Sequence, residues 1–211
     1  MDFDVILKRK WFSRFCKRAF DICSSFLGLI ILLPFFVIFA IMVATTSKGG
    51  VFFKQERIGR NGKPFKIIKF RTMTKNAESV GMQITVGQDM RITKVGKFLR
   101  ATKIDELPQL FNVLFGQMSF VGARPEVPKY VAMYSDYEKN ILKIRPGITE
   151  LSSIVYRDEA SALAEAECPE YMYVNEIMTK KLEYNLDYIE KLGLCYDIKL
   201  IFKTLIAIVK D

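Results

Sequence analysis

From Ile22 to Ser47 the chain reads ICSSFLGLIILLPFFVIFAIMVATTS, 26 residues without a charge. No other stretch restricts the fold as strongly. As one helix it would be about 39 Å long, enough to cross a hydrocarbon core of about 30 Å. It makes a poor secretory signal, because the apolar part is too long and no small-x-small cleavage site follows it. The flanks complicate a simple crossing. Lys8, Arg9, Lys10, Arg14, Lys17 and Arg18 precede the run. Lys48, Lys54, Arg57, Arg60, Lys63, Lys66, Lys69, Arg71 and Lys75 follow it, with Glu56 as the one opposing acid. Basic flanks favour the cytoplasmic side, and here both qualify. Pro34 sits at the centre, where it removes a backbone donor and clashes with the carbonyl of Ile30. Each half then spans only about 18 Å, too short to cross alone. These features favour a re-entrant helix that breaks at Pro34 and returns to the same face. A kinked but complete crossing is the alternative. Re-entry carries a cost of its own: a break in lipid strands carbonyls at several kcal/mol each. Leu33, just before the proline, has nothing to offer them, and Ser24 and Ser25 lie too far toward the N-terminus.

At 211 residues the chain suits one domain with a real core. Its formal net charge of +9 is one-sided, because residues 1–75 hold 15 basic and 4 acidic side chains while the remainder is slightly acidic. Such a half calls for a polyanion: nucleic acid, anionic lipid or a phosphorylated substrate. There is no histidine. That excludes Ser-His-Asp and Cys-His nucleophiles, the His-bearing zinc sites and imidazole acid/base chemistry. Carboxylates, Lys, Tyr, Cys or a hard metal must do any chemistry. Cys16, Cys23, Cys168 and Cys195 show no C-x-x-C spacing and read as reduced, structural thiols; two of them flank or enter the apolar segment, as buried thiols often do.

Residues 51–70 read as two short strands around Asn61-Gly62, a pair suited to a tight type I′ turn. Their interleaved phenylalanines fit base stacking or contact with a bilayer. Residues 72–100 look like a polar loop followed by a basic helical turn. Residues 126–144 look helical, and residues 157–192 supply further helices. The last apolar segment, with Lys199, Lys203 and Lys210, suits an interfacial helix or a core helix equally. An Asp-x-Asp pattern occurs once, at Asp2 and Asp4, in what reads as a mobile tail.

The stretch KIDELPQLFNVLFG, residues 103–116, sets Asp105 and Glu106 before apolar residues at helical spacing, with Gly116 as a stop. Asp105 then falls at the N-cap, Glu106 in the first turn, and Pro108 where proline is tolerated. Capping alone would account for the pair. Its setting opens a chemical alternative. Arg100 and Lys103 precede it, Arg124 lies in VGARPE and Arg145 in RPG, and guanidinium forks match phosphate oxygens. An ionised aspartate among arginines, with a hard cation, is what phosphoryl transfer through an aspartyl phosphate requires.

KRAFDICSSFLGLIILLP, FKQERIGRNGKPFKIIKFRTM, ATKIDELPQLFNVLFGQMSFVGARPE and IRPGIT together resemble the bacterial sugar transferase family, the small monotopic phosphoglycosyl transferases. The resemblance covers residues 17–149. It implies an α+β fold, mostly α-helical with a small β-hairpin, on a re-entrant membrane helix broken at Pro34. Residues 1–48 would be the basic segment and membrane helix, 49–195 a cytoplasmic catalytic domain, and 196–211 an amphipathic helix of that same domain. The implied reaction moves a sugar-1-phosphate from a UDP-sugar to a polyprenyl phosphate, normally undecaprenyl phosphate, and releases UMP. This is the first membrane step of bacterial glycan assembly, at the cytoplasmic face of the inner membrane. By resemblance Asp105 attacks the β-phosphate and becomes the covalent phosphosugar intermediate of a ping-pong pathway. Glu106 assists through Mg²⁺ and proton handling, and both carboxylates are expected metal ligands. Arg100 is expected near the lipid phosphate, and Lys69, Arg71, Arg124 and Arg145 near the diphosphate. Membrane lipids are expected partners and nucleic acid is not; the oligomeric state is left open. Three departures stand out: Leu33 replaces a small polar residue before the proline, Ala123-Arg124-Pro125 replaces Pro-Arg-Pro, and ELSSIVYRDE replaces a Gly-Trp-Ala-Gln stretch, which leaves the sugar open.

Overall fold

The computed structural model describes residues 2–77, 84, 86, 87, 89–155 and 159–209. A short helix α1, Phe3–Arg9, opens the chain and is capped by the Asp2 carboxylate, which accepts from the backbone N–H groups of Asp4 and Val5. Its Phe3 and Leu7 are buried in the main core, so this segment is a docked element rather than a mobile tail. Helix α2 then runs Trp11–Thr46 in a single 36-residue span. The break expected at Pro34 is not an interruption of the helix: Pro34 lies inside it. One missing donor leaves the flanking turns to hold the helical path.

Two strands follow, β1 Phe52–Ile58 and β2 Pro64–Phe70, paired antiparallel. Asn61 and Gly62 both adopt positive φ, as expected of that pair. The connection is wider than a two-residue turn, however. Ile58 pairs with Pro64, and the Gly59 N–H donates to the Lys63 carbonyl at 2.8 Å around a short 3₁₀ turn, Arg60–Gly62. Helix α3, Lys94–Ala101, and a 3₁₀ turn, Ile104–Glu106, lead into α4, Gln109–Leu114, which Phe115 and Gly116 (φ +80°) end.

Strand β3, Ser119–Val121, pairs in parallel with β4, Gly147–Thr149. Their backbones approach so closely that a Cβ on Gly147 would lie 2.1 Å from the Gly122 nitrogen. Between them lie α5, Pro128–Val131, and a 3₁₀ helix, Glu138–Lys143, where one longer helix was expected. Helices α6 (Leu151–Val155), α7 (Glu159–Glu165) and α8 (Pro169–Met172) come next. A π-turn, Tyr173–Met178, joins α8 to α9, Thr179–Lys191, and α10, Leu194–Val209, closes the description. The fold is thus mostly helical with a small antiparallel hairpin, as the α+β reading expects.

The main core gathers α1, α5, the π-turn, α9 and α10 around Val121 and Ala123. A second cluster joins α2 to the hairpin and α3 through Phe36, Val43, Phe70 and Leu99. Helix α2 therefore has two faces. Asp21, Ser25, Phe36 and Val43 are buried against the body, whereas Phe26, Ile30, Leu33, Val37 and Ile41 are exposed. The body engages both halves of the helix. The Arg18 guanidinium donates to the carbonyls of Val113 and Leu114 on α4, at 2.7 and 3.0 Å. Eighteen residues later Phe36 meets Phe111 of the same short helix, ring centroids 6.2 Å apart. Near the start of α2, Lys17 pairs with Asp197 of α10 and donates to the Val121 carbonyl at 2.8 Å, while Tyr188 donates to Asp197 at 2.6 Å. Asp21 accepts from Ser119 Oγ and the Phe120 N–H, both at 3.1 Å. Buried charges persist only when paired in this way.

Helix α10 packs against the core on one side only. Asp197 and Leu200 are buried, and Ile198, Phe202, Leu205 and Ile206 form an exposed stripe. Lys210 lies outside the described residues. The cysteines are unpaired, but Cys23, Cys168 and Cys195 are exposed rather than buried.

Candidate active site

Asp105 and Glu106 sit in the 3₁₀ turn rather than at a helix N-cap; Pro108 precedes the first residue of α4 instead. Lys103 makes the turn possible by adopting a left-handed conformation, φ 56°, which costs a non-glycine residue about 1 kcal/mol. The chain reverses after α3 and carries both carboxylates toward β2. Asn112 fixes the distance between them. Buried on α4, it accepts from the Ile68 N–H at 3.0 Å and donates to the Lys66 carbonyl at 2.8 Å. The next strand residue after Ile68 is Lys69, whose ammonium donates to Glu106 Oε1 at 2.7 Å. From the turn after β3, Arg124 donates to the same oxygen at 2.5 Å and reaches Oε2 at 3.5 Å.

Glu106 is therefore clamped between two cations. Burial alone would push its carboxyl up, but Arg124 and Lys69 overcome this and hold it well below the ordinary range. It stays ionised, and in return keeps Arg124 protonated. Asp105 differs. It is buried, and among the described residues no hydrogen bond reaches its carboxylate. Burial raises its pKa, opposed by Lys69, reinforced by Glu106, and opposed again by Arg100 and Arg124. The adjacent acids are thus pushed apart, one locked as a counter-ion and the other left with free oxygens. That asymmetry is how neighbouring carboxylates acquire different roles.

Both acids line a cavity of about 1060 Å³. Lys69, Arg71, Arg100 and Arg124, all expected near phosphate, line it too. Arg100 is aimed by α3, whose Gly96 approaches β2's exit so tightly that a Cβ would lie 2.1 Å from the Thr72 carbonyl oxygen. The Arg100 Nε donates to Thr72 Oγ1 at 2.9 Å. Arg71 stands further out, donating to the carbonyls of Gly50 and Phe52 at 2.9 and 3.1 Å. Arg145 is not brought to this cavity. Its Nε donates to the Gly116 carbonyl at 2.8 Å and its side chain lines a separate small pocket.

Several lining residues escaped the sequence reading. Arg57 donates to Gln55 Oε1 and, at 2.9 Å, to the Pro125 carbonyl, and stands 3.7 Å from Glu126. Tyr173 donates to Glu126 at 2.6 Å, and burial beside that carboxylate pushes its phenol up. Glu150 accepts from the Arg124 N–H at 2.8 Å and from Asn185 at 3.0 Å, anchoring the turn that carries Arg124. For Arg57 a signal existed, because strand periodicity puts it on one face with Gln55 and Phe53, and Phe53 lies opposite Lys69. Glu126, Glu150 and Tyr173 come from separate loops and helices with no shared spacing. Of the stretch that leaves the sugar open, Tyr156, Arg157 and Asp158 lie outside the described residues.

No cluster of three His, Cys, Asp or Glu residues converges among the described residues. A hard divalent cation needs only one or two carboxylates when substrate phosphates and water complete its shell. Asp105, with Glu106 beside it, meets that requirement in donor type, although the oxygens of Glu106 already face Lys69 and Arg124.

The apolar surroundings link this cavity to α2. Phe70, the residue after Lys69, stacks with Phe52 and packs on Phe36, each at 5.5 Å between centroids. One residue therefore separates the long apolar helix from a cation of the acidic site.

Comparison with known proteins agrees with the resemblance. The family model described as "Bacterial sugar transferase" matches residues 12–211. A Klebsiella pneumoniae protein named UDP-glucose:undecaprenyl-phosphate glucose-1-phosphate transferase is 43% identical over 192 residues, covering 89% of this chain and 39% of its own length. An Aeromonas hydrophila protein named UDP-N-acetylgalactosamine-undecaprenyl-phosphate N-acetylgalactosaminephosphotransferase is 35% identical over 195 residues, 90% of this chain and 43% of that one. Exopolysaccharide production protein PSS of Rhizobium leguminosarum bv. phaseoli is 36% identical over 199 residues, 90% of this chain and 94% of that one. The chain thus spans about two fifths of the first two relatives and nearly all of the third.

Proposed function

The chain belongs to the bacterial sugar transferase family, and from that premise we propose that it transfers a sugar-1-phosphate from a UDP-sugar to a polyprenyl phosphate. The observation that carries the proposal is the asymmetry of the acidic pair: a clamped Glu106 beside an Asp105 that lines the same cation-bearing cavity and whose carboxylate accepts no hydrogen bond among the described residues. In the first half-reaction an Asp105 oxygen attacks the β-phosphorus of the UDP-sugar. The bond from that phosphorus to the bridging oxygen breaks, and UMP leaves with the electron pair. In the second, an oxygen of the polyprenyl phosphate attacks the same phosphorus and Asp105 departs as a carboxylate. Both attacking groups are anions, so neither step needs a general base, which suits a chain without histidine. Lys69, Arg100 and Arg124 offset the charge on the phosphates and orient them. Held by Asp105 with Glu106 beside it, Mg²⁺ would neutralise diphosphate charge. We assign Glu106 to keeping Lys69 and Arg124 in place rather than to proton transfer, because the cations hold it ionised.

A test follows from the two halves. With no polyprenyl phosphate added, labelled UMP should exchange into UDP-glucose or UDP-N-acetylgalactosamine, the sugars named for relatives. Exchange that requires the lipid with both donors would contradict a pathway in two separate halves.

For topology, a helix lying in one leaflet with both ends on the cytoplasmic side is supported by the way the body packs along α2 from Lys17 to Val43. An upright crossing would draw the hairpin and α4, with Lys69 and Glu106 one step behind, into hydrocarbon, where charges are costly. A helix lying in one leaflet keeps the exposed face of α2 in lipid and both flanks in the cytoplasm. Single cysteines at Lys10 and Lys48 in a cysteine-free background should both label from the cytoplasmic side of inner-membrane vesicles. Labelling from opposite sides would refute this one-sided placement.

A further inference from the structure

Arg14 and Arg18 of α2, Arg60 at the hairpin tip and Arg145 of the RPG turn line a second, small pocket that shares no residue with the large cavity. They come from three segments distant in sequence, so chain proximity does not explain their meeting. Their hydrogen bonds do little to neutralise them. Arg14, Arg18 and Arg145 donate to the carbonyls of Leu7, of Val113 and Leu114, and of Gly116. The Arg60 side chain makes no hydrogen bond among the described residues, and its Nε is buried without a partner. Two further charges face the pocket. Lys17 is already paired with Asp197, and Asp21 is the one carboxylate in the lining, with one oxygen holding Ser119 and Phe120. Burial and then mutual repulsion depress the pKa values of Arg145 and Arg14.

Four half-buried guanidiniums around one acid repel one another, and a bound anion turns this into attraction. Guanidinium forks match tetrahedral oxyanions bidentately. The pocket measures about 30 Å³, which suits one such group and not a nucleotide. Its depth is also informative. Exposed Trp11, Phe12 and Phe15 flank it on α2, and the uncharged run starts at Ile22, one turn beyond Arg18. Aromatic side chains in that position mark the headgroup level of a bilayer.

We propose that Arg14, Arg18, Arg60 and Arg145 form a second phosphate-binding pocket, separate from the acidic site, that takes the phosphate of an anionic phospholipid headgroup or a free phosphate ion. The site does not depend on the transferase reading. Thermal unfolding in non-ionic detergent at constant ionic strength tests it, comparing wild type with Arg60→Gln, since the Arg60 side chain has no hydrogen bond to lose among the described residues. One arm replaces chloride by inorganic phosphate; the other replaces an uncharged diacylglycerol in mixed micelles by phosphatidylglycerol. The wild type should gain about 3–5 °C over the variant at a ligand concentration near ten times Kd. A gain with inorganic phosphate identifies a free ion as sufficient, and a gain confined to phosphatidylglycerol identifies the lipid headgroup. Equal responses of wild type and variant in both arms would overturn the pocket. Subtracting the Arg60→Gln response removes any phosphate bound in the large cavity. Without either ligand Arg60→Gln should unfold no lower than wild type, since repulsion is relieved. If it does unfold lower, Arg14→Gln is read in its place against the same two outcomes.

Discussion

Asp105→Asn is expected to lower UMP release by about 10⁴-fold or more, the scale on which covalent enzymes lose turnover when the nucleophile goes. The amide matches the carboxylate in shape but cannot form the acyl phosphate. Steady-state UMP production with saturating donor and acceptor measures the loss. A structural role would give a different pattern. Asp105 is buried, its carboxylate accepts no hydrogen bond among the described residues, and burial opposes its charge. Removing that charge should leave the unfolding temperature level with wild type or slightly higher. Full activity in the variant would return the pair to the role of ordinary turn residues.

Glu106→Gln is expected to reduce turnover by about 10²-fold, the loss that misplacement by about 1 Å can cause, and to move the acid limb of the pH profile. The sign follows from the site's charges. Burial raises the pKa of Asp105, Lys69 lowers it and Glu106 raises it. Removing the charge of Glu106 takes away one raising influence and frees Lys69 and Arg124 to face Asp105. Its carboxyl then ionises more readily, so the acid limb of kcat/KM shifts to lower pH. Ionised Asp105 is also better paired and a weaker nucleophile. Were Glu106 a proton carrier instead, the variant would lose a limb altogether, and restored activity with added small acids or bases would follow.

Much of this site was legible in the sequence because its chemistry is local. The acidic pair is adjacent, and the apolar run, the hairpin and the basic first third announce themselves by composition and period. What sequence could not supply is where separate loops meet. Arg124 and Arg145 look alike beside Pro125 and Pro146, yet one clamps Glu106 and the other turns to Gly116. The turn holding Asp105 mimics a helix start because Leu107, Leu110 and Leu114 keep helical spacing; the left-handed Lys103 delays α4 to Gln109. At the hairpin, Asn61 and Gly62 were right in backbone conformation, but the Gly59–Lys63 bond widened the loop and shifted the register. Pro34 read as a break because each half of the run is too short to cross. The helix nonetheless passes through it with the body packed on both arms.

The central claim is that the phosphosugar passes through Asp105. Incubating the protein with Mg²⁺ and a donor labelled in its β-phosphate, without polyprenyl phosphate, then quenching in acid and mapping peptides by mass spectrometry, tests it directly. UDP-glucose and UDP-N-acetylgalactosamine serve as parallel donors. The prediction is a phosphosugar adduct on the peptide containing Asp105, absent from Asp105→Asn and discharged when polyprenyl phosphate is added before the quench. A label on any other residue, or UMP release in turnover with no adduct trapped, would contradict it.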